Sequence, residues 1–299
     1  MVIRKRFIFS IYVISFIALL GSCGKTRMPF EVLYLDLDGT ALNSQSRVNE
    51  TVKIGVDRFK ACGGRVGIAT GRTLEQAQEA IGVLEPDLPA VLFNGCVIFD
   101  TRTGQAKVVA ALSDEVVNQV KPQLLAETAI AGFVLHYACS SVAFGNPEVM
   151  HEIARHSSIT LVDQPTPDET EVIKILVFCL SDEADNVSDR IMEKLSPEAR
   201  TVISSPQTVE ILPAGANKAK AIEQALTDYQ LELGDVVAFG DSGNDVEMLG
   251  SVGFGVAMEN ARNETKVAAD TVIGHHDTDA IEKFITGALL TEKCLQVDR

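Results

Sequence analysis

At 299 residues, 46% hydrophobic and 22% charged, the chain carries enough apolar material for two domains and a substantial core, which excludes a disordered protein. Its formal net charge of −15 repels nucleic-acid phosphates, and no stripe of lysine and arginine interleaved with aromatics overrides it, so nucleic acid is excluded as a partner. The same charge repels a phosphorylated small molecule, so a site for one must carry its own positive charge from a metal, a lysine, an arginine or backbone N–H groups.

The chain opens with Arg4-Lys5-Arg6, an apolar stretch over 7–20, and then Leu20-Gly21-Ser22-Cys23. Basic, apolar and small-residue segments in this order make up a secretory signal, and the apolar part is shorter than a spanning helix. Leu-Gly-Ser-Cys is similar to the bacterial lipoprotein box, in which the cysteine becomes the lipidated first residue. Residues 1–27 therefore read as a leader or a non-native extension. The protein is a membrane-anchored lipoprotein modified at Cys23 if translation starts at Met1, and cytoplasmic if it starts at Met28. The other cysteines, Cys62, Cys96, Cys139, Cys179 and Cys294, show neither paired metal-finger spacing nor a CxxC motif and read mostly as packing residues. Their odd number leaves at least one thiol unpaired in an oxidising compartment.

The first element is an apolar run of β-formers over 32–35, followed at once by Asp36-Leu37-Asp38-Gly39-Thr40. Asp-Gly between apolar residues is also a hairpin signal, but Gly39 equally gives the backbone freedom to turn and bring Asp36 and Asp38 onto one ligand. Helical spacing of Val52, Val56 and Phe59 predicts a helix over 49–62, ended by Gly63-Gly64. A strand over 65–69 ends in Thr70-Gly71-Arg72; a helix over 74–84 is stopped by Pro86 and Pro89, and a short strand over 90–93 runs into Asn94-Gly95. This βαβα order is the signature of a parallel sheet. Residues 97–99 and 107–110 flank a turn and predict a hairpin.

From 112 to 205 the pattern changes to longer alternating runs, 132–144 and 172–180, with helices near 114–128, 147–156 and 182–195. These predict an inserted α+β module. The first pattern resumes with a strand over 208–212, a helix over 217–229 and a strand over 236–240, which ends in Asp241-Ser242-Gly243-Asn244-Asp245. A helix over 245–249, a last strand over 270–273 and a closing helix over 278–289 follow, and no internal repeat is present. The division is then 28–111 with 206–290 as an α/β core, a doubly wound parallel sheet; 112–205 as an α+β cap; and 291–299 as a tail. Three strand ends carry polar chemistry, and in an open parallel sheet ligands bind beyond those ends. Asp36 and Asp241 can therefore meet across 205 positions.

Asp-Leu-Asp-Gly-Thr, Thr-Gly-Arg, a lysine opening a late helix and Gly-Asp-Ser-Gly-Asn-Asp together resemble the haloacid dehalogenase superfamily, specifically its Cof-type (subfamily IIB) phosphatases. Asn94-Gly95 and the run Gly255-Val256-Ala257-Met258-Glu259-Asn260-Ala261 agree with it, whereas Asp279-Ala280-Ile281 replaces the usual Asp-Gly-Val. The resemblance runs from Met28 to about Leu290 and implies a Rossmann-like core with a mobile cap inserted after the second motif. It implies Asp36 as the nucleophile that takes up the phosphoryl group and Asp38 as the general acid and base. It implies Mg2+ held by a carboxylate oxygen of Asp36, the backbone carbonyl of Asp38 and the carboxylate of Asp241, with Asp245 in support. Thr70, Gly71 and Lys218, with Asn244 nearby, would bind phosphate. A hard cation with oxygen ligands suits this role, because a carboxylate attacks phosphorus only where the phosphate charge is neutralised.

The resemblance selects Lys218; by charge alone Lys220 serves almost as well. A cation at a helix N-terminus needs a compensating partner, such as the phosphate or Asp241. Arg72 reads as an anchor of its loop by ion pairing. His275-His276-Asp277 reads as surface loop, because no spaced acidic or histidine partner accompanies it. His136, His151 and His156 fall in the cap as structural or substrate-facing residues. The function expected from the resemblance is a magnesium-dependent phosphatase acting on a small phosphorylated metabolite, a sugar phosphate or phosphorylated cofactor, through an aspartyl-phosphate. A phosphomutase or phosphotransferase shares every motif, and a lipid-tethered surface binding protein with little turnover is the alternative from another class.

Overall fold

The computed structural model describes residues 30–165 and 170–290, so Cys23, the 1–27 leader and the 291–299 tail lie outside the described residues. The chain begins with β1 (Val32–Leu35), α1 (Glu50–Ala61), β2 (Arg65–Ile68), α2 (Leu74–Leu84) and β3 (Ala90–Leu92), followed by the hairpin β4 (Val97–Asp100) and β5 (Gln105–Val108). A second module follows: α3 (Asp114–Ala126), β6 (Ile130–His136), β7 (Ser141–Gly145), α4 (Pro147–His156), β8 (Lys174–Cys179), α5 (Ala184–Met192), β9 (Ala199–Ser205) and β10 (Thr208–Pro213). The chain then returns through α6 (Lys218–Leu226), β11 (Val236–Gly240), α7 (Val246–Ser251), β12 (Phe254–Ala257), α8 (Asn263–Ala268), β13 (Thr271–Val272) and α9 (Ala280–Phe284), which runs on into a wider turn at Ile285–Leu289.

The core sheet is parallel, in the order β13-β12-β11-β1-β2, and an Ala69 to Val91 bridge extends it to β3. From β1 the chain winds outward on one side to β2 and β3, and after the cap it winds outward on the other side from β11. The β1–β11 seam, in register at Leu35 and Phe239, is thus where the winding reverses and where a crevice opens beyond the strand ends. Both faces of these strands are covered, which is why they read as continuous apolar runs. Leu33, Leu35, Val237 and Phe239 pack with Val56, Phe59 and Ile281 on one face. Val32, Tyr34, Val236 and Ala238 pack with Ile222, Leu226 and Met248 on the other. The buried Tyr34 hydroxyl donates to the Pro89 carbonyl at 3.1 Å.

The cap is an antiparallel sheet in the order β7-β6-β8-β10-β9. Its strands alternate strictly. Phe133, Leu135, Ile175, Val177, Val209 and Ile211 face the apolar sides of α3 and α5, where Val116, Val120, Leu124 and Val187 complete a separate core. The opposite face carries Val134, Leu176 and Phe178 against Met150 and Ala154 of α4. Farther along, that same face carries His136, Lys174 and Glu210 toward the core domain.

Three expectations are corrected. Residues 208–213 do not join the core sheet: β10 pairs antiparallel with β8 and β9, so the cap sheet extends beyond the expected boundary at 205, while Leu212 and Ala216 already pack into the core cluster. Val209 and Ile211 signal a strand, but their alternation does not say which sheet takes it. The 132–144 run is two strands, folded back by a turn in which the Tyr137 N–H donates to the Ser140 carbonyl at 2.8 Å. The run Phe254–Ala257, too short and glycine-interrupted for its pattern to predict a strand, forms β12 of the core sheet. Of the cysteines, Cys96 and Cys179 are buried packing residues, whereas Cys62 is half-buried and Cys139 exposed.

Candidate active site

The loop after β1 is fixed by the neighbouring strand and by its own wide turn. The Asp36 N–H donates to the Phe239 carbonyl at 3.0 Å, and the Leu42 N–H closes the turn on the Leu37 carbonyl at 2.9 Å. Gly39 lies inside it at φ 70, and a Cβ there would collide with the Asp241 carboxylate, so only glycine lets the two acidic loops approach. Asn260 ties them together, its Nδ2 donating to the Gly39 carbonyl at 2.8 Å and to Asp241 Oδ2 at 3.3 Å.

Lys218 opens α6, which Asn217 caps by accepting the Lys220 N–H at 3.2 Å. Its side chain is buried, with Nζ 2.6 Å from Asp36 Oδ1 and 2.7 Å from Asp245 Oδ1. Lys220 is exposed, so burial distinguishes the two lysines. Of the protein's own groups its ion-pair partners are Asp36 and Asp245, where the phosphate or Asp241 was the expectation. Asp245 is fully buried; its other oxygen accepts the N–H groups of Asp241 and Ser242, both at 3.0 Å.

Three carboxylates thus surround one lysine, and the balance is short of positive charge. Burial first and the Asp245 carboxylate second push Asp36 well above the usual carboxylate range, with Lys218 opposing. The same two causes, burial and then Asp245, raise Asp241 to about 6. Burial alone would lower the Lys218 pKa, but Asp245 and Asp36 outweigh it and hold the ammonium charged.

The site also leaves an acceptor unsatisfied: Asp241 Oδ1 is buried without a hydrogen-bond partner. Carboxylate oxygens of Asp36, Asp241 and Asp245 lie within 4.8 Å of one another. Because Asp245 is engaged by Lys218 and two N–H groups, Asp36 and Asp241 are the open pair. An orphaned buried carboxylate oxygen in an all-oxygen set fits a hard divalent cation such as Mg2+.

Asp38 stands apart. Its side chain is 61% exposed and Arg72 grips it with both arms of the guanidinium, while the third nitrogen of Arg72 donates to the Gln76 carbonyl at 3.0 Å. Thr70 is fully buried, and its hydroxyl accepts the Arg72 N–H at 3.2 Å. Gly71 packs so closely on Asn94 that an added Cβ would lie 2.9 Å from Asn94 Oδ1. That oxygen accepts from Asn244 Nδ2 at 2.6 Å, which joins the loop after β3 to the loop after β11.

Residues 33–285 match the family model described as haloacid dehalogenase-like hydrolase. The chain belongs to that family. The hydrolase is 26% identical over 254 residues to YxeH of Bacillus subtilis, a protein named as a phosphatase, covering 81% of this chain and 92% of the relative. Among solved structures it resembles a haloacid dehalogenase-like hydrolase from Bacteroides thetaiotaomicron, with a TM-score of 0.74, 24% identity, and 86% and 98% of the two chains covered. The subclass IIB sugar phosphatase BT4131 has the same coverage at a TM-score of 0.70 and 21% identity. At these identities the two structures speak for the fold. The expected superfamily, the capped α/β fold and the hydrolase class of this phosphatase family hold.

Other polar residues of the hydrolase gather around this site. His275, His276 and Asp277 come together, but His276 Nδ1 bonds the Leu42 carbonyl at 2.7 Å and Asp277 accepts the Ser44 N–H at 2.7 Å. They brace the turn that follows Asp38. Lys174 and Glu210 of the cap, 3.3 Å apart, reach down to Gly71 and Asn94; a lone cation opening the otherwise apolar run 174–179 was the available signal. His136 is buried beside Lys174, donates or accepts with Ser141 Oγ at 2.9 Å, and is held neutral by burial and then by Lys174.

Proposed function

We propose that the hydrolase is a magnesium-dependent phosphatase that removes the phosphoryl group from a small phosphorylated metabolite by way of an aspartyl-phosphate on Asp36. The observation that carries this reading is the buried Lys218 bridging Asp36 and Asp245 beside an orphaned oxygen of Asp241. The phosphatase names borne by YxeH and BT4131 support phosphomonoesters as the substrate class, and sugar phosphates within it.

In this reading Lys218 opposes the upward shift that burial and Asp245 impose on Asp36, a cation bound there would favour the ionised carboxylate, and Asp36 Oδ2 is left to attack phosphorus. The bond from phosphorus to the leaving oxygen breaks, and Asp38, released from Arg72 and protonated from the solvent it faces, gives that oxygen the proton. Asp38 then takes a proton from a water that attacks the aspartyl-phosphate, releasing inorganic phosphate and restoring Asp36. Thr70 and the backbone N–H of Gly71 bind phosphate oxygens, with Asn244 at the edge of the site. Asp36, the Asp38 carbonyl and Asp241 would hold Mg2+, which neutralises phosphate charge as the nucleophile approaches.

Residues 28–299 with Mg2+ should hydrolyse p-nitrophenyl phosphate; a chelator should abolish this, and so should Asp36→Asn. Undiminished turnover by Asp36→Asn would sink the mechanism. Product analysis with a hydroxyl acceptor present separates hydrolysis from phosphoryl transfer. A lipid anchor at Cys23 remains a separate proposal, tested by radioactive palmitate labelling in the native host.

A further inference from the structure

The cap contributes an ion pair between a buried lysine and a half-buried glutamate where apolar packing would be expected. Lys174 is 3% exposed, and its Nζ lies 3.3 Å from Glu210 Oε1, 3.4 Å from the Gly71 carbonyl and 5.8 Å from the centre of the Phe93 ring. Glu210 Oε2 accepts from Asn94 Nδ2 at 3.4 Å. Desolvating two such charges offsets most of their mutual attraction, so stability alone does not account for the pair.

Each end of the pair touches a different wall of the phosphate cradle. Lys174 holds the Gly71 carbonyl, and the peptide plane that contains this carbonyl also contains the Arg72 N–H that donates to the Thr70 hydroxyl. The lysine thereby fixes which lone pair of Thr70 is taken and leaves its O–H free for another acceptor. Glu210, as an ionised carboxylate, can only accept. Asn94 must therefore turn Nδ2 toward it and Oδ1 toward Asn244, which in turn must present Nδ2. The single polarity of Glu210 thus orients two amides in series, the second of them in the loop between Asp241 and Asp245. It also leaves Asn244 Oδ1 buried and without a partner.

We propose that Lys174 and Glu210 are positioning residues of the cap, which set the hydroxyl of Thr70 and the second Nδ2 hydrogen of Asn244 as donors for phosphate when the cap is docked. Neither touches the reacting atoms. This inference rests on the reading of Thr70, Gly71 and Asn244 as the phosphate site.

The test compares the wild-type chain with Glu210→Gln, Lys174→Met, their double variant, and Arg190→Gln. The last breaks the Arg190–Glu127 pair, also within the cap but exposed and away from the core. Two readouts are taken with Mg2+ present: calorimetric affinity for inorganic phosphate, and kcat and KM for p-nitrophenyl phosphate. Glu210→Gln keeps the shape but can offer Asn94 either an oxygen or an NH2, so the amide order is lost. We expect it and Lys174→Met each to weaken phosphate binding about tenfold, with the double variant no worse than the weaker single and Arg190→Gln unchanged. Phosphate affinity within about twofold of wild type in folded Glu210→Gln overturns the inference, even if Lys174→Met fails to fold. A wild type that binds phosphate but does not turn over the aryl ester would instead overturn the phosphatase reading and leave the positioning roles standing. A wild type that does not bind phosphate would overturn both.

Discussion

Arg72 holds both oxygens of the Asp38 carboxylate, Nε to Oδ2 at 2.8 Å and Nη2 to Oδ1 at 2.6 Å, so the second acid of the motif is turned out toward solvent while the first is buried on Lys218. Two residues apart in sequence, Asp36 and Asp38 have opposite environments. This is the separation needed for one carboxylate to attack and the other to carry protons.

Asp38→Asn should therefore discriminate by leaving group. A poor alkoxide leaving group needs the proton, and its kcat should fall by roughly 10²–10⁴. p-Nitrophenolate leaves without one, so the burst of nitrophenol from the first step should be far less affected. Rapid-quench kinetics on the two ester types reads this directly, and an equal loss on both would assign Asp38 a different task.

Lys218→Met removes the ammonium that bonds Asp36 Oδ1 and strands Asp245 in a fully buried position. Leaving an uncompensated buried charge costs about 3–5 kcal/mol. Urea unfolding of the metal-free protein should show a loss of that order together with loss of turnover.

Asp241 sets a pH window. Its folded pKa is raised from 3.8 to about 6, so the metal-free fold prefers it protonated; the stability this contributes is complete below about 4 and is lost as pH rises through about 6. A cation at Asp241 must displace that proton. Mg2+ affinity, followed by calorimetry, should accordingly fall as pH drops below about 6. Asp241→Asn should bind Mg2+ weakly and lose the component of the pH dependence centred near 6, leaving that of the buried Asp36.

Gly39→Ala places a methyl group against the Asp241 carboxylate and forces alanine to φ 70. We expect a stability loss of about 1–2 kcal/mol from the backbone alone, measured by thermal unfolding, and at least a tenfold fall in kcat from the displaced Asp241. Gly104→Ala also sits at positive φ but meets no atom within 4 Å, and it should show the stability loss without the fall in kcat.

Much of the core was legible because β1, β2 and β11 are largely apolar runs that end in the polar residues of the candidate site. Burial on both faces makes such a run visible, and the turn residues after it mark the strand end. What the sequence concealed were relations between segments. Alternation at Val209 and Ile211 announced β10 but not its partners, since both sheets accept the same pattern. The choice between Lys218 and Lys220 came from family resemblance and not from charge, because both lie within the first turn of α6 and only the depth of the pocket distinguishes them. Glu210 was hidden because an acid in an alternating strand ordinarily faces water. Here that face meets a second domain.

The exit strand of the cap, β10, ends at Pro213, and α6 begins at Lys218, with only residues 214–217 between them. Arg200 of β9 stiffens this link by donating to the Ala216 carbonyl at 3.1 Å. The cap is therefore joined to α6 by a short, braced link, so a displacement of β10 would be felt at the residue that opens α6, Lys218, whose ammonium lies between Asp36 and Asp245.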